Sequence, residues 1–144
     1  MTLDDIHLEW DKDQDLDLSQ LDKAIRHVPL LHGKWWKIYT TERLRYADVK
    51  TTRQQVYHDK IEWYLGRLSE ETRLARGWPP QPLRIVRQDA ERFVAADPDM
   101  IPLNLRVELQ ETKLKFIEDI IKAINNRGFL LKTSVDYLRF SQGN

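Results

Sequence analysis

From Leu30 to Leu68 the chain runs without a proline, and Gly33 is its only glycine before Gly66. So long a stretch without the two strongest helix breakers predicts one helix of roughly ten turns. An apolar seam of Leu31, Ile38, Val49, Val56 and Trp63 runs along it, ready to pack on the rest of the fold or on another subunit. Five glycines and six prolines in 144 residues, with 32% charged residues, point the same way. Sheets and loop-rich folds spend more glycine on turns, so the fold class is all-α.

The remaining punctuation divides the chain. Residues 1–18, which include "DDIHLEWDKDQDLDL", are acidic with thinly spaced apolar side chains and read as a flexible arm. Residues 19–144 form one helical domain in this reading. Ser19 is placed to cap a helix from Gln20 toward His27, and Pro29 either kinks that helix or opens the next. Residues 69–86 carry three prolines and Gly77, a Pro-rich loop, and a short helix is expected around 88–96 before Asp97-Pro98-Asp99. Pro102 then opens a second long helix. Leu103, Val107, Leu114, Ile117, Ile121 and Ile124 recur along it at three- and four-residue steps. Gly128 is expected to stop it, and Thr133 or Ser134 to cap a short terminal helix carrying Val135, Leu138 and Phe140.

The chain has no cysteine, which removes disulfides and thiolate metal sites. No segment approaches the roughly 20 apolar residues of a membrane span, and the start lacks a basic leader, so a cytosolic protein is expected. Formal net charge is zero, yet residues 1–22 carry −7 and residues 26–87 carry +7. A basic middle with an acidic arm suits a polyanion site with a tail that competes for it; two solvated surfaces would look the same. Phosphate-cradling glycine loops are missing, and His27 and His32 are five apart, off one helical face. Asp99, Glu108 and Lys113 make only a loose nuclease-like set with nothing to fix a metal. No enzyme and no cofactor is expected.

What remains is a surface. Wound at about 100° per residue, Arg43, Tyr46, Lys50, Arg53, Tyr57, Lys60, Tyr64 and Arg67 share one side of the long helix, with Lys34, Trp35 and Tyr39 before them. Asp48, Asp59 and Glu62 fall on the other side, and only Glu42 spoils the segregation. Single-stranded nucleic acid suits such a stripe: cations neutralise phosphates, and rings stack on bases at about 1–3 kcal/mol each, whatever the sequence. The same rings can instead pack on a neighbouring helix beneath Lys and Arg stems.

These residues carry a resemblance. Lys34-Trp35 early in the long helix, "WYLGR" at 63–67, Ala96-Asp97 before the last long helix and "INNRGFLLK" at 124–132 occur in the order and spacing of the UvsY family of phage recombination mediators. The chain resembles that family along nearly its whole length. The resemblance implies a non-enzymatic homo-oligomer, a hexameric or heptameric ring, that binds single-stranded DNA in the cytoplasm of the infected host cell. It also implies two partners, a RecA-type phage recombinase and the phage single-strand DNA-binding protein that the recombinase must displace. The family's basic Lys-Ala-Arg motif falls on His58-Asp59-Lys60, which keeps one cation and adds an acid. The C-terminal part is similar to the family's oligomerisation element, here Leu114, Ile117, Ile121, Ile124, Phe129, Val135, Leu138 and Phe140. The alternative is a structural or adaptor phage protein that binds no DNA and packs its aromatic and basic helix against partner subunits.

Overall fold

The chain opens with a capped helix. Thr2 Oγ1 accepts from the Asp5 amide while the Asp5 carboxylate accepts from the Thr2 amide, a reciprocal box that starts α1 (Leu3–Gln14). The acidic segment expected to be a flexible arm is therefore a helix, held down by Ile6, which is fully buried, and by Trp10. Its acids face water or basic partners, and three of its four apolar side chains fall at positions 3, 6 and 10, on one helical side, with Leu8 exposed on another.

In the computed structural model, which describes residues 1–143, a single 3₁₀ turn (Leu18–Gln20) follows α1. Asp17, not Ser19, caps this turn: its carboxylate accepts from the Ser19 amide at 2.9 Å. Helix α2 then runs unbroken over Leu21–Tyr64, with Pro29 inside it. Pro29 is exposed and gives up one backbone hydrogen bond, about 3 kcal/mol, while Leu31 and Trp35 just beyond it are anchored in the core. Gly66, at φ 70°, turns the chain out of α2.

The proline-rich segment holds a short helix, α3 (Glu70–Arg76), capped by Ser69 and ended by Gly77 at φ 73°. Helix α4 (Arg87–Ala95) lies within one residue of expectation. Helix α5 spans Met100–Ser141 in one piece. Pro102 is its third residue, where the amide has no intrahelical partner to lose. The expected stop at Gly128 does not occur. Gly128 keeps a helical backbone, and the Thr133 and Ser134 hydroxyls, rather than capping a new helix, donate to the Phe129 and Leu130 carbonyls one turn back. Among the described residues there is no strand, and no helix is long and apolar enough to cross a membrane.

Two compact units result, residues 1–44 with 111–144, and residues 45–110. In the first, Ile6 of α1, Leu31 and Trp35 of α2, and Ile117, Ile120, Ile121 and Ile124 of α5 close a three-helix core. The apolar stripe expected to mediate oligomerisation is thereby divided. Leu114, Ile117, Ile121 and Ile124 are buried inside their own subunit, the three isoleucines because α1 supplies a third wall where the sequence suggested a flexible arm. Val135 is half-buried, whereas Phe129, Leu138 and Phe140 are exposed, Phe129 to 72% and Phe140 to 83%. In the second unit Val56, Val94 and Met100 form the buried centre, with Tyr57, Ile61, Tyr64, Trp78 and Leu103 around it.

Candidate nucleic-acid interface

A helical stripe at steps of three and four averages 3.5 residues per turn, so it drifts by about 20° per heptad around a straight helix. From Tyr46 to Tyr64, where α2 ends, that is about two and a half heptads, and Arg67, expected on the same stripe, lies past the turn at Gly66 and off the helix. Exposure alternates along the stripe instead of changing steadily with this drift. Arg43, Lys50, His58 and Arg67 are exposed; Lys34, Tyr46, Arg53, Tyr57 and Tyr64 are half-buried; Trp35 and Lys60 are buried.

In the first unit the Trp35 ring lies wholly in the core. Its Nε1–H donates to Asp13 at 2.9 Å, and Trp10 meets it edge-on. A ring so enclosed offers no face to a base, so the stacking role expected of Trp35 is replaced by a packing one. Lys34 donates to the Asp13 carboxylate at 2.6 Å and to Glu9 at 3.0 Å. Partial burial depresses its pKa, but those two carboxylates more than reverse the effect and hold it above the ordinary lysine value. The acids of α1 thus occupy the first basic position of the stripe. The solvent-facing ring is Trp36, 50% exposed, stacked between His32 and Tyr39 and followed by exposed Lys37. Two adjacent tryptophans on a helix stand about 100° apart, so one faces in and one faces out; Trp35, the one expected on the stripe, is the inward one.

In the second unit Lys50 lies 5.7 Å from the Tyr46 ring centre. Arg53 sits 5.7 Å over the Tyr57 ring and donates to Asn104 at 2.6 Å. Lys60 is only 3% exposed. Its ammonium lies 2.9 Å from Asp99 and 3.2 Å from Asp97, between the Trp63 and Trp78 rings at 4.7 and 4.1 Å. One cation facing two carboxylates leaves no positive charge for a phosphate, so Lys60 is a structural clamp in this fold. The Tyr64 hydroxyl donates to Asp97 at 2.6 Å. Burial, then that hydrogen bond and the Asp97 and Asp99 charges, push its pKa far above the ordinary tyrosine value. Burial alone would raise Asp97. Hydrogen bonds from Tyr64, the Asp99 amide and Lys60, with the Lys60 charge, outweigh it and hold the carboxyl below 3.8. Asp99 and Lys113 of the loose nuclease-like set are likewise engaged, with Lys60 and with buried Glu42 at 2.8 Å.

Exposed cations with half-buried rings beside them thus remain at the surface of each unit, on a wholly helical frame. A family model described as "Recombination, repair and ssDNA binding protein UvsY" matches residues 9–144. The chain belongs to the UvsY family. It is 21% identical over 143 residues to the recombination protein uvsY of Enterobacteria phage T4, covering 99% of both chains. Crystal structures of the bacteriophage T4 recombination mediator protein UvsY share the fold. The type II lattice form has a TM-score of 0.82 at 20% identity, covering 99% of this chain and 98% of that one. The type IV form has 0.79 at 19%, covering 98% and 99%. In this UvsY-family member the two outer positions of His58-Asp59-Lys60 are split by burial, His58 exposed and Lys60 enclosed, while Asp59 accepts two bonds from Arg76 at 2.7 and 2.9 Å.

Proposed function

We propose that this chain binds single-stranded DNA without sequence preference and promotes loading of a RecA-type phage recombinase onto strands covered by single-strand DNA-binding protein. It does so as a non-enzymatic mediator in the cytoplasm of the infected host cell, in homologous recombination, recombination-dependent replication and repair. The match of the UvsY family model to residues 9–144 carries this reading. Exposed Arg43, Lys50, His58 and Arg67 supply contacts at phosphates, and Tyr46 and Tyr57 supply ring surface beside them.

The acting form is a homo-oligomer, a hexameric or heptameric ring. Phe129, Leu130, Tyr137, Leu138 and Phe140, all exposed on the last turns of α5, support it, since several large apolar side chains left at the surface of one segment suit a protein contact. Repeating a weak site around a ring makes each further contact intramolecular, so modest sites hold a strand by their number.

The test is the single-strand-dependent ATPase of a RecA-type phage recombinase on DNA already covered by the phage single-strand DNA-binding protein. Addition of this chain shortens the lag before ATP hydrolysis; an unchanged lag contradicts the mediator role. A protein-only adaptor is the second reading, favoured by the internal partners of Trp35, Lys60 and Tyr64, and it requires no affinity for oligonucleotides even at low salt.

A further inference from the structure

In the second unit a groove of about 250 Å³ opens between α2 and α4, lined by Tyr57, His58 and Ile61 on one side and Arg87, Ala90 and Glu91 on the other. Its composition is amphipathic. Ile61 and Ala90 give it an apolar floor, half-buried and buried respectively. Arg87, the first residue of α4, is exposed and makes no ion pair or hydrogen bond among the described residues. The neighbouring cation on the same helix, Arg92, is by contrast paired with Asp89 at 3.6 Å. The Tyr57 hydroxyl and the His58 ring are likewise without a hydrogen-bond partner among the described residues, although Arg53 covers one part of the Tyr57 ring. Three donors that no protein acceptor engages, around an apolar floor, suit a ligand that is anionic at one end and flat and apolar beside it. Glu91 follows Arg87 by four residues, one turn or about 6 Å along α4, which biases an anion toward the Arg87 end.

Resting on the single-strand reading above, we infer that this groove seats one nucleotide of the bound strand, its phosphodiester on Arg87 with the Tyr57 hydroxyl and His58, its sugar and base against Ile61 and Ala90. The strand would thus be held by α4 as well as by α2. Arg87 lies outside the helical stripe because it comes from another element, and only the fold brings it beside Tyr57. A free nucleotide offers the same chemistry as a strand phosphodiester, so the test separates the two.

Binding of labelled oligo-dT is measured across a salt series for the full chain, Arg87→Ala and Arg92→Ala, with thermal melting of each to verify folding. Arg87→Ala is expected to weaken binding about tenfold and to lower the salt slope by about one, as loss of one phosphate contact does. Arg92→Ala, already paired, should change affinity less than twofold. An oligonucleotide bearing 5-iododeoxyuridine should photocrosslink to the peptide that carries Tyr57. If the full chain binds but Arg87→Ala and Arg92→Ala behave alike and the crosslink falls elsewhere, the groove assignment is overturned while the single-strand reading stands. If millimolar dTMP protects the Tyr57 peptide while the strand stays bound at undiminished affinity, the groove is a mononucleotide site and the strand assignment is overturned. If the full chain binds no oligonucleotide, the broader reading itself fails.

Discussion

The ammonium of Lys60 stands 4.1 Å from the centre of the Trp78 ring, a contact built by the left-handed turn at Gly77, which ends α3 one residue before that tryptophan. Asp97 and Asp99 close the cation's other side. Removing one partner of a buried ion pair leaves the other charged and unsatisfied. Lys60→Ala should therefore cost about 3 kcal/mol in urea denaturation, with little change in DNA affinity per folded molecule. A variant of native stability that has lost DNA binding would return Lys60 to the interface.

The same cluster gives stability a pH dependence. The Asp97 carboxyl sits below its ordinary 3.8 in the folded chain, so the unfolded chain binds its proton first as pH falls. Its contribution is complete above about pH 5, is eroded as pH drops through the unfolded value, and is gone below the folded one. Denaturation midpoints between pH 3 and pH 7 should fall more steeply for the native chain than for Asp97→Asn; parallel curves would contradict the assignment.

Gly128 has a helical backbone with open space where a Cβ would stand. Gly128→Ala should raise stability by about 0.5–1 kcal/mol, read as a higher melting temperature. Destabilisation by a similar amount would instead favour the helix stop expected from sequence.

Ile6 tests whether α1 belongs to the core. It is wholly buried against Leu31, Trp35 and the isoleucines of α5. Ile6→Ala should cost about 2–5 kcal/mol, whereas a side chain on a solvated arm would cost almost nothing when truncated.

Sequence patterning conveyed the helical class, the breaks near residues 69–86 and 97–99, and the long helix, because proline, glycine and apolar period act locally. It misjudged the places where a neighbour decides. An acidic segment with three apolar residues on one side looks solvated until a groove exists to receive Ile6. A glycine near the end of an apolar stripe looks like a stop, yet α5 passes through Gly128 for 13 more residues. Trp35 and Trp36 are equivalent in composition and differ only in the direction of the core, 0% against 50% exposed. Lys60 fits its stripe by spacing, but Trp78 and Asp97 come from 18 and 37 residues away, and no local pattern announces them.

The central claim, that exposed cations and rings of this helical chain hold single-stranded DNA, is tested most directly by fluorescence anisotropy of labelled oligo-dT and of the matching duplex at several salt concentrations, with light scattering on the same samples. A large oligomer that prefers the single strand and loses affinity steeply as salt rises is the expected result. An oligomer with no affinity at low salt, or one that binds duplex equally well, would contradict it.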